Sequence, residues 1–414
     1  MKKYPEYKDS EIEWLGKIPK HWTITPFKHI ISFINGYAFK SDTYTEDGIP
    51  IIRIGDVQKS INFIETKKVP KEYWDELPEM RIYYGDILIA LTGATIGKSS
   101  TYQYHNPALL NQRVALIRPK SNCVPSFVKY LIQMNIFREY ILVECNGGAQ
   151  GNIGKEEIGN FSFQLPPTQE QLHISTYLDK KTNQIDALIG KKREMIELLK
   201  EERAAIINQA VTKGINPDAE MKDSGIEWLG EVPKHWEVKK IKFVASLRSG
   251  NSITSDEIKE EGTYPVYGGN GLRGYTSDFT HDGHFVLIGR QGALCGNVNY
   301  AEGKFWASEH AVVATIINNS NVIWLGELLR SMNLNQYSIS AAQPGLAVER
   351  IQNLSIPCPT IEEQNIIAKH LTVKSAQIDL SIGKIEKEIS LIEEYRTALI
   401  NEAVTGKIKV TESV

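Results

Sequence analysis

The sequence predicts an α/β chain in which two similar domains are joined by two long helices, built as an internal repeat. Three observations carry that reading: a fourteen-residue segment that occurs twice, two long proline-free stretches with a 3.5-residue apolar period, and strand-and-turn patterning between them.

The repeat sets the frame. Asp9–Trp22 recurs as Asp223–Trp236 at an offset of 214, with eleven of fourteen positions identical. Gln184-Ile185-Asp186 pairs with Gln377-Ile378-Asp379, and Ala210-Val211-Thr212 with Ala403-Val404-Thr405, now at an offset of 193. The second unit is therefore 21 residues shorter, so two equal frames hold two unequal inserts, at 23–163 and 237–356. The expected division is 1–164 for the first domain with its repeated segment, 165–222 for the first helix and a linker, 223–359 for the second domain, and 360–414 for the second helix.

The first helix is expected from Gln169 to Val211. Leu178, Ile185, Ile189, Ile196, Leu199, Ile206 and Ala210 fall on alternating steps of three and four, with Thr182, Lys192 and Arg203 in the gaps. The copy runs through Leu371, Ile378, Ile382, Ile385, Ile389, Ile392, Leu399 and Ala403. That period belongs to a coiled-coil seam rather than to a helix lying on a globular core. Polar seam residues such as Lys192, Arg203 and Arg396 mark register or a place for a further chain. Pro166-Pro167 and Pro357-Cys358-Pro359 close the inserts just ahead of the helices, with Thr168 placed to cap the first and Gln171 three residues on. Gly190 and Gly383 occupy equivalent mid-helix positions, as weak points or close helix contacts.

The inserts read as short strands between turns. Gly48–Val57 alternates as a strand ending in a turn, and Gly85–Gly93 is a buried strand entering a loop. Phe285–Gly289 answers the latter, and Gly292-Ala293-Leu294-Cys295-Gly296 answers Gly93-Ala94-Thr95-Ile96-Gly97. Near the insert ends, Ala149-Gln150-Gly151-Asn152-Ile153 corresponds to Ala342-Gln343-Pro344-Gly345-Leu346. The inserts are diverged copies of one α/β domain.

Composition narrows the function classes. The chain of 414 residues is 42% hydrophobic and 23% charged with a formal charge of −3, as in a soluble globular protein of several domains. No apolar run reaches the ~18 residues that cross a bilayer, and the first ten residues have no apolar signal core. Cys123, Cys145, Cys295 and Cys358 are isolated, without zinc-site spacing. A cytoplasmic protein with no membrane partner and no structural metal is expected.

Several strings imitate enzyme motifs. Gly93–Ser99 resembles a phosphate-binding loop but has three residues between its glycines where four are needed. Gly269–Gly274 fits Gly-x-Gly-x-x-Gly, but no helix of a βαβ unit follows, so a glycine-rich hairpin is expected. His281-Asp282-Gly283-His284 reads as an ordinary surface loop, and no Asn-Pro-Pro-Tyr/Phe string for base methylation occurs. Trp14, Trp22, Trp228 and Trp236 lie in the repeated frame, where they are expected to seat each domain against the helices rather than to stack on bases.

The duplicated Glu-Trp-Leu-Gly…Pro-x-His-Trp segment, the Gly-Ala-x-x-Gly turns and the helices led by Glu170-Gln171 and Glu363-Gln364 resemble the specificity (S) subunit of type I restriction-modification systems, over essentially the whole chain. The resemblance implies two target recognition domains, each reading half of a split, asymmetric DNA site. The helices would pair antiparallel as a spacer and dock two modification (methyltransferase) subunits. It implies no catalysis and no cofactor in this chain, S-adenosylmethionine in the modification subunits, and ATP with magnesium in the restriction subunits. A coiled-coil scaffold with two protein- or glycan-binding domains is the competing reading, and a solitary DNA-binding protein a weaker one.

Base edges are read by donors and acceptors on loops. The expected set in the first domain is Asn35, Lys40, Arg53, Lys98, Ser99, Arg113, Gln150 and Asn152. In the second it is Arg248, Asn270, Arg273, Arg290, Gln291, Lys304, His310 and Gln343. Lys98 and Arg290, beside the matching glycine turns, and Gln150 with Gln343 stand out, with Lys98 and Lys304 suited to phosphate. Net charges of +2, 0, −3 and −2 for the four segments leave none of them basic. The chain alone is thus expected to bind double-stranded DNA weakly, with its partners supplying most phosphate contacts.

Overall fold

The computed structural model describes residues 2–57, 61–145, 152–292, 294–338 and 345–410. The chain divides into two compact units, Met1–Lys191 with Glu388–Val414, and Lys192–Lys387, so each long helix contributes to both.

In the first unit, strands Ile31–Asn35, Val114–Pro119, Ile87–Ala90 and Ser99–Thr101 form an antiparallel sheet in the order first, fourth, second, third along the chain. Ile87–Ala90 is buried throughout, as its unbroken apolar run requires. A second four-stranded sheet contains Lys68–Val69, Ile49–Ile52, Ala108–Leu110 and Arg81–Ile82, with Ile51 parallel to Leu109. Helices Pro125–Ile132 and Asn135–Glu144 bury Phe127, Leu131, Phe137 and Ile141 in a core shared with Ile174, Leu178, Leu399 and Ala403 of the long helices.

The second unit has one six-stranded sheet, ordered Ala245–Ser249, Ala311–Ile316, His281–Gly289, Val298–Ala307, Tyr264–Gly268, Gly271–Thr276. Its pair Val266 and Trp306 is parallel, like Ile51 and Leu109 in the first. Helix Val322–Ser331 buries Trp324, Leu325, Leu328 and Leu329 against this sheet and against Ile207, Val211, Ile367 and Leu371.

The long helices span Thr168–Lys213 and Ile361–Val404, 46 and 44 residues. Their seam residues are buried or half-buried, as the 3.5-residue period requires. Pairing is antiparallel within each unit. In the first, Asp186 meets Arg396 at 3.2 Å, while Gln164, just ahead of the first helix, donates its side-chain amide to the carbonyl of Val404. In the second, Arg203 Nη1 donates to Asp379 Oδ1 at 2.8 Å, and Gly214 lies beside Glu363. These two ion pairs join repeat-equivalent positions, so the polar seam residues Arg203 and Arg396 lock register.

The repeated segments and the Glu-Gln pairs explain each other. Trp22 and Trp236 have no exposed surface, and their indole N–H groups donate to Glu170 Oε2 at 2.8 Å and to Glu363 Oε2 at 2.9 Å. His21 and His235 bring Nε2 to the same oxygens, each at 2.9 Å. Gln171 Oε1 accepts from Val124 N–H at 2.9 Å and its Nε2 donates to Pro166 O at 2.9 Å. Gln364 does the same with Asn321 N–H at 2.8 Å and Pro359 O at 3.1 Å. The tryptophans therefore seat each domain on a helix start. Each helix stops at a glycine in the left-handed region, Gly214 at φ 79° and Gly406 at φ 72°, where an added Cβ would lie 3.3 Å from Trp236 and 3.0 Å from Trp22. In the first unit Lys409 N–H donates to Lys2 O at 2.8 Å.

Three expectations are corrected. Thr168 already lies inside the first helix, and Gln171 serves the clamp rather than a capping box. The cap position is Pro167, equivalent to Thr360, whose Oγ1 accepts from Glu363 N–H at 3.3 Å. His281–His284 is strand, not loop, because Gly283 pairs with Gly303 and the His281 ring stacks on Phe305 at 5.3 Å; burial holds that imidazole below its ordinary pKa. A Cβ at Gly190 or Gly383 would meet nothing within 4 Å, which rules out a close helix contact there.

Candidate nucleic-acid interface

One backbone arrangement recurs at the rim of the main sheet in both units. In the first, Gly36 N–H donates to Val114 O, Tyr37 N–H to Leu110 O, Leu91 N–H to Arg113 O and Ile153 N–H to Leu91 O, at 2.9–3.1 Å. In the second, Gly250 donates to Ala311, Asn251 to Ala307, Arg290 to His310 and Leu346 to Arg290, at 2.8–2.9 Å. The offset between equivalent residues falls from 214 at Tyr37 and Asn251 to 199 at Leu91 and Arg290, then 197 at Arg113 and His310, and 193 at Ile153 and Leu346. Most of the length difference thus lies between the first rim segment and the glycine turn, outside the rim itself.

Backbone packing builds this rim. A Cβ on Gly36 would lie 2.0 Å from Asn111 O, and one on Gly250 2.3 Å from Ala307 O, so only glycine lets the chain pass. Gly93 and Gly97 take φ 68° and 74°, Gly292 and Gly296 take 87° and 89°, and both turns close with the same bond, Ile96 N–H to Gly93 O and Cys295 N–H to Gly292 O. Cys295 is buried under its turn, which raises its thiol pKa, and its Sγ donates to Arg290 O at 3.3 Å.

On this common scaffold the side chains differ. Equivalent positions hold Leu91 and Arg290, Thr92 and Gln291, Gln112 and Glu309, Arg113 and His310, Lys98 and Asn297, Asn35 and Ser249. Gln112, Arg113 and Lys98 are exposed in the first unit, as are Gln291, Asn297 and Asn270 in the second. Arg290 Nη1 donates to Ser249 Oγ at 3.1 Å. His310 Nδ1 meets Gln291 Oε1 at 3.1 Å, and its Nε2 meets Glu309 Oε1 at 3.1 Å. Asn297 Nδ2 donates to Asn270 Oδ1 at 3.2 Å, at the tip of the hairpin closed by Gly268 and Gly271.

The expected residues therefore separate. Asn270, Arg290, Gln291 and His310 gather in the second unit; Asn35, Lys98, Ser99, Arg113 and Asn152 border the rim of the first, Asn152 through its bridge to Thr92. Lys98 and Arg290 flank their turns on opposite sides: the buried Leu91 matches Arg290, and Asn297 matches Lys98. Arg53 pairs with Asp56 at 3.5 Å, at the start of a short 3-10 turn. Lys40 is exposed at the start of the turn Ser41–Thr43, and Arg248 is exposed on its strand. Arg273 packs its stem on Gly268, and Lys304 lies over the Phe279 ring at 4.6 Å. Gln150 and Gln343 lie outside the described residues. Gln112, Glu309, Asn297 and Asn251 were not foreseen, although Asn35-Gly36 and Ser249-Gly250, at the offset of the frame repeat, carried a signal for the last. Among the described residues no group of three or more His, Cys, Asp or Glu could hold a metal ion, and no helix is long and apolar enough to cross a membrane.

Known proteins resemble the chain over most of its length. The family profile described as the type I restriction modification DNA specificity domain matches residues 19–198 and 233–391. The type I restriction enzyme EcoprrI specificity subunit of Escherichia coli is 28% identical over 370 residues, 86% of either chain. A putative type I restriction enzyme MjaX specificity subunit of Methanocaldococcus jannaschii is 26% identical, over 99% of this chain and 98% of its own. In fold, the chain is similar to a solved type I R-M system component at a TM-score of 0.66 and 15% identity, covering 94% of this chain and 99% of that one. The HsdS subunit from Thermoanaerobacter tengcongensis follows at a TM-score of 0.53 and 15% identity, covering 94% and 98%.

Proposed function

The chain belongs to the family of type I restriction-modification DNA specificity subunits, and from that premise we propose that its two domains, at 1–164 and 223–359, read unequal halves of an asymmetric DNA site through the rims described above. The observation that carries the reading is a constant frame around variable rims. The Trp–Glu and Gln clamps keep the same partners in both units, while Leu91, Thr92, Gln112 and Arg113 give way to Arg290, Gln291, Glu309 and His310. Two copies that had to bind the same ligand would keep the rim; two copies that read different base pairs must change it.

The chain itself carries no catalytic role in this reading. Its partners are two modification subunits, which use S-adenosylmethionine, and restriction subunits, which use ATP and magnesium, in the cytoplasm. Exposed apolar residues on the long helices support docking of a partner chain: Leu172, Leu188, Leu391 and Tyr395 in the first unit, Met195, Leu198, Ile366 and Leu380 in the second. The helices are the spacer between half-sites.

Salt titration of DNA binding tests the reading. The chain alone should bind weakly with a shallow dependence on salt, and the complex with modification subunits should bind tightly with a steep one. Tight, site-specific binding without a partner would favour a solitary DNA-binding protein. Failure to copurify with a modification subunit would favour the scaffold.

A further inference from the structure

We propose that Tyr37 is a specificity-determining residue of the first domain: its ring packs on the methyl group of a thymine in the half-site that this domain reads. The inference rests on the reading that the rim meets DNA, and it adds an apolar contact where only polar side chains were expected.

The ring is built into the rim. Tyr37 follows Gly36 at the end of the strand Ile31–Asn35, its N–H donates to Leu110 O at 2.9 Å, and its carbonyl accepts from Gln112 N–H at 3.0 Å. Both backbone groups are thereby held. The side chain leans edge-to-face on Phe39, with ring centroids 5.0 Å apart at 65°, and meets Tyr73 at 6.3 Å. Phe39 is buried and itself crosses Tyr73 edge-to-face at 5.4 Å, so the three rings brace one another. Tyr37 nevertheless keeps 41% of its surface exposed. A large side chain whose rotamer is already fixed loses little entropy on binding.

Duplex DNA decides what such a ring can meet. Stacked bases show only their edges in the grooves, and the apolar group on those edges is the C5-methyl of thymine. Gln112, bonded to Tyr37 through the backbone, and Asn35, just ahead of Gly36, are both exposed. An amide beside an apolar ring matches an A·T pair: the amide takes N6 and N7 of adenine, and the ring covers the methyl group of the paired thymine. In the second domain the equivalent position is Asn251, which donates its N–H to Ala307 O at 2.9 Å but brings no ring, so this contact belongs to one half-site.

The test is methylation in vitro by the complex of this chain with its modification subunits, on duplexes in which each thymine of the recognised motif is replaced in turn by uracil, which lacks only the methyl group. At one thymine of one half-site the wild-type complex should lose about fourfold in kcat/KM, the effect of burying a single methyl group. Tyr37→Phe should keep that sensitivity, and Tyr37→Ala should methylate the thymine and uracil duplexes alike. Tyr37→Asn, which carries the side chain that the fold already holds at the equivalent place, should behave as Tyr37→Ala does. A wild-type complex indifferent to every methyl group, or a sensitivity that survives in Tyr37→Ala or Tyr37→Asn, overturns the proposal. Its loss in Tyr37→Phe overturns it too, by assigning the contact to the hydroxyl. Wild-type complex that methylates no bipartite site overturns the functional reading on which the proposal stands, so the two failures are distinguishable.

Discussion

Replacing Trp236 by Phe probes the joint between domain and helix. The indole has no exposed surface and donates to Glu363 Oε2 at 2.9 Å, while the carboxylate keeps His235 at the same distance. Removing a hydrogen bond to a charged group costs about 1.5–3 kcal/mol, and the lower end applies because the Glu363 side chain is 24% exposed and can recruit water. Phenyl is smaller than indole by roughly 40 Å³, which at ~24 cal/mol per Å³ adds ~1 kcal/mol. The sum, about 2.5 kcal/mol, should lower the melting temperature by roughly 5–10 °C for a unit of this size. Differential scanning calorimetry or far-UV circular dichroism reads it, with Trp22→Phe expected to match because Trp22 makes the same contact with Glu170 at 2.8 Å. Trp228→Phe is the control, at 36% exposure, with an effect within ~0.5 kcal/mol. Equal losses at Trp228 and Trp236, or none at Trp236, would refute the latch.

Other outcomes follow from the same structure. Reversing Arg203 to Asp should destabilise the second unit by about 1 kcal/mol, and adding Asp379→Arg should restore most of it in a double-mutant cycle; no recovery would show that this pair does not set register. Four residues added to each long helix, after Lys191 and after Lys387, should lengthen the non-specific gap by about two base pairs, from a rise of 1.5 Å per residue against 3.4 Å per base pair; unchanged spacing would remove the helices as the spacer. Burial pushes the Cys123 thiol up to about 11, and its Sγ donates to Gln171 Oε1 at 3.3 Å. Because the folded value lies above the unfolded one, the thiol contributes stability below pH 9 that is lost as pH climbs toward 11. Native Cys123 should therefore resist iodoacetamide at pH 8 and react after denaturation; fast labelling of the native chain would contradict its buried place.

Legibility of the sequence followed the range of the interactions. The helical seam could be read because packing repeats every 3.5 residues, and Ile185, Ile189, Ile196 and Ile378 are buried as that period requires. The repeated Trp and Glu-Gln motifs could be found, but not their meeting, since Trp22 and Glu170 are far apart in the chain. The helix start lies one residue earlier than the Thr168 pattern implies because Pro167 O accepts the first helical bonds. Lys98 and Arg290 both flank the matching glycine turns, as the sequence shows, but only the backbone bonds tell that they lie on opposite sides of them.

Methylome sequencing of cells that carry the modification subunits, with and without this chain, tests the central claim most directly. Chain-dependent adenine methylation at a two-part motif with unequal halves and a non-specific gap is the expected result. Methylation that is independent of the chain, or confined to one uninterrupted motif, would contradict it.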